Sequence, residues 1–224
     1  MEDEVITKEE IAHNIKNPYI TPVAIFMFIF SLTFYCILFF SAHLLYKLPI
    51  YMYIFLVFWV VINIISYLQE KSKKVKTNKA ALIRYIIIST LCGYSLSISC
   101  SSVYVFGATT NGYDVFDYWL IIIIANVISL IGFNIFVISE FGLIQSLSGS
   151  AGNIMGIAIT LGGFGILIYL SRIVPYTDNE NNFIWMSIIV ILMINLLIGR
   201  SYFNLMRYQV LEELELEEQH HTSK

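Results

Sequence analysis

The chain has 224 residues, of which 58% are hydrophobic and only 13% charged, with a net charge of −3 at pH 7. A soluble domain carries about a quarter charged residues and a smaller apolar share, so an ordinary water-soluble fold and a disordered chain are both excluded. Six bilayer-crossing helices of about 20 residues each would fill a little over half of the chain and leave no room for a sizeable soluble domain.

The N-terminal tail, residues 1–20, opens the chain. Residues 5–16 predict a short amphipathic helix: Thr7 and Glu10 have capping-box spacing, and Ile6 and Ile11 flank them as a hydrophobic staple. Ile11 and Ile15 share a face, and Asn17-Pro18 ends the segment. This helix is expected to lie along the cytoplasmic membrane surface before the first span. A cleaved signal peptide does not fit, because the leading segment is acidic, the apolar run is too long and no small-x-small site follows.

The six spans are 21–40, 49–68, 83–104, 118–139, 152–171 and 183–203, which together define an all-α transmembrane bundle over residues 21–204. None has an ionisable group near its middle. Helices are required because lipid cannot satisfy free backbone polar groups, and the ten-residue alternation of a membrane barrel is absent. Tyr46, Tyr51, Tyr67, Tyr85, Tyr104, Tyr118, Trp119, Tyr169, Trp185 and Tyr202 gather near the ends, as an aromatic belt would. Residues 205–224 form an acidic C-tail that extends the last helix, with Val210, Leu211 and Leu214 as an apolar stripe among glutamates. That tail reads either as a docking helix for a basic partner or the Lys-rich loop, or as a solvated end.

Of the 13 Lys and Arg, only Lys47 and Arg172 fall on the side away from the tails. The positive-inside bias therefore puts both termini in the cytoplasm of a plasma-membrane protein. Lys71, Lys73, Lys74, Lys76 and Lys79 in the loop after the second span are the main anchor, with contact to anionic lipid as the sharper reading. The negative net charge argues against a nucleic-acid partner.

Polar and small residues inside the spans are the candidate functional groups. On a helix, the third span carries two small stripes: Ser89, Gly93, Ser97 and Ser101, and Cys92, Ser95, Ser99 and Ser102. Small faces on two sides make it the central helix, with a hydroxyl-lined solute path as the alternative. The fifth span offers Gly152, Gly156 and Thr160, then Gly162, Gly163 and Gly165, for close packing or a gating hinge. Asn63, Asn126, Asn134 and Asn195 should point inward and hydrogen-bond across helices. Glu140 reads as the cytoplasmic end of the fourth span, or as an ion site if that helix runs deeper.

Catalytic and cofactor chemistry is poorly represented. No span holds a His, no His-Glu-x-x-His or phosphate-loop motif occurs, and Gly149-Ser150-Ala151-Gly152 has the wrong order for a serine elbow. Cys36, Cys92 and Cys100 read as small packing residues. Asp178 with Glu180 offers too few ligands for calcium, and His220 with His221 is an incidental tail pair. No enzyme activity, metal or cofactor is expected.

The six-span layout, the Lys-rich loop at 71–79 and the heavy use of Ile, Tyr, Asn and Lys resemble small six-span membrane proteins of unknown function encoded beside type VII secretion clusters in low-GC Gram-positive bacteria. That resemblance implies an accessory or toxin-protection role, with no residue-level mechanism to carry over. The expected function is a non-enzymatic accessory, assembly or immunity-type subunit. It would work through helix contacts with another membrane protein or with itself in the lipid bilayer. The alternative is a small transporter, channel or permease subunit that moves a solute through the bundle.

Overall fold

A computed structural model describes residues 7–42, 48–175 and 181–222. Among these the helices are α1 (Lys8–Lys16), α2 (Ile20–Ala42), α3 (Ile50–Lys71), α4 (Lys79–Thr110), α5 (Phe116–Glu140), α6 (Ser150–Ile173) and α7 (Asn182–Thr222). A 3-10 turn, Gln145–Leu147, lies between α5 and α6, and the described residues contain no strand. Among the described residues, six helices are long and apolar enough to cross a membrane. Ile6, Tyr46, Asp178 and Glu180 lie outside the described residues, as do the side chains of His220 and His221.

Two helices outrun their sequence-derived spans. α4 extends beyond residues 83–104 at both ends, and α7 runs without a break from the last span through the acidic tail. No Gly or Pro interrupts residues 201–222, and Leu, Glu, Met, Arg and Gln are strong helix formers. The 205–224 segment is therefore a cantilever of α7 and not a separate element.

The most apolar stretch of α4 is 67% buried, against 28% for that of α3, which makes α4 the hub of the bundle. α2 and α3 pack on one side of it and α7 on another, while α5 and α6 form a close antiparallel pair. The reason is side-chain size. A Cβ on Gly93 would stand 2.3 Å from Ile194 of α7, so this helix crossing needs a glycine. A Cβ on Gly156 would meet the Phe136 backbone at 2.5 Å, and one on Gly163 would meet Ser129 Oγ at 2.3 Å. Gly152 faces Ser139, and Gly132 of α5 faces Thr160 in the same manner. Gly162, expected in the same contact, instead faces open space, as does Gly165. Successive helical residues point about 100° apart, so only one of Gly162 and Gly163 can meet α5. α6 is a continuous helix through both.

The apolar face of α1 is covered by protein. Ile11, Ala12 and Ile15 are buried in a second apolar cluster against Ala81, Leu82, Tyr85 and Ile86 of α4 and Leu205 and Tyr208 of α7. α4 and α7 project past the other helices at this end and offer α1 a protein surface in place of lipid. The same end of the bundle thus carries α1, the loop at 72–78 and the outer part of α7; it is called the tail end below. Thr7 caps α1, its Oγ1 accepting from Glu10 N at 3.2 Å.

The aromatic belt is only partly lipid-facing. Tyr67, Tyr169 and Trp185 are exposed, but Tyr85, Tyr104 and Trp119 are buried in the protein. Position near a span end does not distinguish an interfacial ring from one packed between helices.

Gly163→Leu is expected to lower the thermal unfolding midpoint in detergent, at an overpacking cost of about 1–3 kcal/mol. Gly162→Leu is expected to leave it unchanged. Equal effects would contradict the α5–α6 packing described here.

Candidate functional site

The stripe of Cys92, Ser95 and Ser99 faces α2 and α3, while the other stripe divides, with Ser89 meeting Gln69 of α3 and with Gly93 and Ser97 meeting α7. On the α2–α3 side, Asn63 Nδ2 donates to Trp59 O at 2.7 Å and reaches Ser95 Oγ at 3.5 Å, while its Oδ1 accepts from Cys92 Sγ at 3.5 Å. Ser99 Oγ donates to Ser31 Oγ at 3.1 Å, and Tyr35 OH donates to Ser99 O at 2.8 Å. On the α7 side, Ser97 Oγ donates to Ser187 O at 3.2 Å and Tyr94 OH donates to Asn195 Oδ1 at 2.8 Å. Ser101 bonds back to Ser97 O in its own helix. Ser89 accepts from Gln69 Nε2 at 3.3 Å. Each hydroxyl of these stripes named here has a protein partner, which is what glue between helices requires in a medium without water.

Three of the four asparagines follow the expected pattern. Asn63 and Asn195 bond across helices, and Asn134 Oδ1 accepts from Tyr202 OH of α7. Asn126 does not: its Nδ2 turns back to Ile122 O at 2.8 Å, and its buried Oδ1 has no partner. The tyrosines Tyr35, Tyr94 and Tyr202 supply the other half of this network and were not singled out as partners by the sequence. A Tyr in a span reads equally well as core or belt, and only helix azimuth shows which.

Glu140 ends α5 in an exposed position and accepts from Asn153 Nδ2 at 2.5 Å. It sits at the helix end and not in the bundle interior. Cys92 and Cys100 are buried and fit the packing reading, but Cys36 is exposed on α2. No group of three or more His, Cys, Asp or Glu side chains is placed to hold a metal among the described residues.

The tail end holds a second set of contacts. Glu70, near the end of α3, accepts from Ile20 N at 3.2 Å and from Thr21 N at 3.2 Å, so a carboxylate of α3 caps the start of the preceding helix α2. The chain reaches that cap through Tyr19, which has φ +63° and lies 5.1 Å from the Arg200 guanidinium. Lys16, although a lysine, is buried, and its Nζ donates to Ser72 O. Tyr85 OH accepts from Lys76 N at 3.2 Å, and Tyr208 OH donates to Thr77 O. Side chains from α1, α4 and α7 therefore pin the backbone of the loop whose Lys71, Lys73, Lys74, Lys76 and Lys79 stay exposed. α7 docks as far as Tyr208 and the half-buried Leu211, and it is exposed from Glu212 to Gln219. The stripe expected to dock is split: Leu211 is half-buried, whereas Val210 and Leu214 are exposed.

Lys8 Nζ meets Glu215 Oε2 at 2.5 Å. Glu215 raises the Lys8 pKa above its ordinary value. The pair's contribution is thus complete below the ordinary lysine pKa and is lost as pH rises through the raised one. It is exposed and screened, so apolar burial and not this pair holds α1 in place.

A family model described as "Domain of unknown function (DUF5079)" matches residues 8–219 of this chain. The match runs from the start of α1 into the acidic end of α7, so the docked tail belongs to the same unit as the spans. No curated protein and no solved structure matches.

In a double-mutant cycle, Tyr94→Phe and Asn195→Leu are expected to show a coupling of about 0.6 kcal/mol, within a ceiling of ~1.7. Asn126→Leu, which removes an unpaired buried acceptor, is expected to leave stability unchanged or raise it. A loss on Asn126→Leu comparable to that on Asn195→Leu would contradict these assignments.

Proposed function

The chain belongs to the DUF5079 family, whose description carries no activity, and we propose that it is a non-enzymatic accessory, assembly or immunity-type subunit. In this reading it works through helix contacts in the cell membrane, with both termini in the cytoplasm. The observation that carries the proposal is the fate of the intramembrane polar groups. Asn63, Asn134 and Asn195, together with Ser89, Ser97 and Ser99, are each hydrogen-bonded to a neighbouring helix. A transported solute would need such groups free and aligned along a path. The Lys and Arg bias toward the side of the tails supports the orientation.

The outer face of α6 is where a partner helix is expected. Its inner glycines are filled by α5, while Gly162 and Gly165 leave a flat strip on the outside. A transmembrane helix approaches closely only at such strips. The alternative, a transporter, channel or permease subunit, is favoured by buried side-chain atoms without a partner, among them Asn126 Oδ1, Thr90 Oγ1 and Ser201 Oγ.

Purification of the tagged chain from its own membranes in mild detergent is expected to retain a stoichiometric membrane partner. Gly162→Leu together with Gly165→Leu is expected to release that partner without loss of expression or monodispersity. A clean preparation that alone supports solute flux in liposomes, and loses it on Asn126→Leu, would replace this proposal by the transporter reading.

A further inference from the structure

Three of the four asparagines singled out in the spans turn Nδ2 back to their own helix. Asn63 donates to Trp59 O, Asn126 to Ile122 O and Asn134 to Leu130 O. Asn195 is different. Its Oδ1 accepts from Tyr94 OH at 2.8 Å, which holds the amide with Nδ2 turned away from α4. That Nδ2 donates to no protein group, and it is not sealed off. Asn195, itself only 8% exposed, lies in a groove of about 490 Å³ between α6 and α7. Phe133 of α5 lines this groove, with Leu161 and Phe164 from α6 and Leu192 and Leu196 from α7. The site is thus an apolar recess with one oriented, unused N–H donor.

An open amide donor in hydrocarbon is costly, and only an acceptor recovers the cost. Asn195 lies two residues from the centre of the 183–203 span, about 3 Å along the helix. Phospholipid ester oxygens lie about 15 Å from the midplane, half the hydrocarbon thickness, so acyl chains reach this depth without bringing an acceptor. A second copy approaching by the same face brings none either. The exposed residues of α6 between 154 and 168 and of α7 between 186 and 196 are all Ile, Leu, Met, Ala or Gly. Thr160, the other polar residue of the groove, donates to Gly156 O at 2.8 Å. Beside the groove the surface is flat: Gly165 follows Leu161 by one turn, and a Cβ on Gly162 or Gly165 would meet nothing within 4 Å. A neighbouring helix can lie close along such a strip and still reach the groove with one side chain.

We propose that the α6–α7 groove recognises one membrane-spanning helix of a different protein. That helix lies along Gly162 and Gly165 and places a side-chain acceptor, the oxygen of an amide, a hydroxyl or a protonated carboxyl group, against Asn195 Nδ2. The proposal rests on the accessory-subunit reading and adds to it the chemistry by which the partner is selected.

The test uses the full chain in its own cells, with a photoreactive phenylalanine analogue replacing Leu161 at the groove or Ile54 on the exposed face of α3. Intact membranes are irradiated and the crosslinked peptides are sequenced by mass spectrometry. Position 161 is expected to capture one transmembrane helix of another protein, within a turn of an Asn, Gln, Ser, Thr, Asp or Glu. Asn195→Leu is expected to cut that yield about 3- to 18-fold, the range of one interhelical hydrogen bond. Tyr94→Phe, which breaks the same bond to α4 and leaves the amide donor in place, is expected to keep most of it. An equal loss in the two variants would make the effect one of folding and overturn the inference. So would a yield unchanged by Asn195→Leu, or a captured helix with no acceptor near the crosslink. A protein partner captured from position 54 and not from 161 would overturn this inference alone. Lipid or a second copy at both positions would overturn the accessory-subunit reading with it.

Discussion

Within a bilayer, helices gain nothing by hiding apolar surface from each other, because lipid tails are as apolar as Leu. Close approach and interhelical hydrogen bonds must hold them together, and α4 supplies both on two faces. Gly93 lets Ile194 of α7 seat against the helix backbone, and Ser97 bonds Ser187 beside that crossing. On the opposite side Ser95 and Ser99 reach Asn63 and Ser31. α5 and α6 meet through glycines, with Gly132, Gly156 and Gly163 in interlocking contact, and Ser129 Oγ donates to Thr160 O across the pair at 3.3 Å. The bundle is thus a hub with a separately zipped hairpin. The partnered polar groups at its centre are structural adhesive in this arrangement.

At the tail end the solvent changes and so does the force. At 32 and 41 residues, α4 and α7 are longer than a hydrocarbon core of about 30 Å requires, and α1 docks on them by burying Ile11 and Ile15 completely or nearly so. Burial of such side chains is worth about 1.5–3 kcal/mol each, and it operates only where water is the alternative. Docked α1 brings Lys16 to Ser72, and α7 brings Tyr208 to Thr77. The Lys-rich loop is thereby fixed at both ends, which a topology anchor alone would not need. The family match begins at residue 8 and ends at residue 219, in keeping with α1 and the α7 cantilever being integral to the fold.

The spans were legible in the sequence because bilayer thickness fixes helix length and apolar content. The two-sided role of α4 was legible for a similar reason: Ser89, Gly93, Ser97 and Ser101 repeat with the period of the helix. What the sequence could not supply was azimuth and partner. Gly162 and Gly163 are chemically identical neighbours, and only the position of α5 decides that one is packed and the other open. Asn126 and Asn134 sit two turns apart on α5, yet only Asn134 finds a tyrosine opposite. The docking of α1 depended on how far α4 and α7 run beyond the membrane, which caps and hydropathy did not reveal.

Whether the α4 stripes are adhesive or a solute path is decided most directly by the chain's own cysteines. Cys92 and Cys100 are buried within α4, and Cys36 on α2 is the exposed one. In a Cys36→Ser background, intact membranes would be treated with a small water-soluble methanethiosulfonate. Dry helix contacts predict no reaction at Cys92 or Cys100 until the protein is unfolded in strong detergent. Modification of either thiol in the folded protein, from either side of the membrane, would show water along α4 and contradict the adhesive reading.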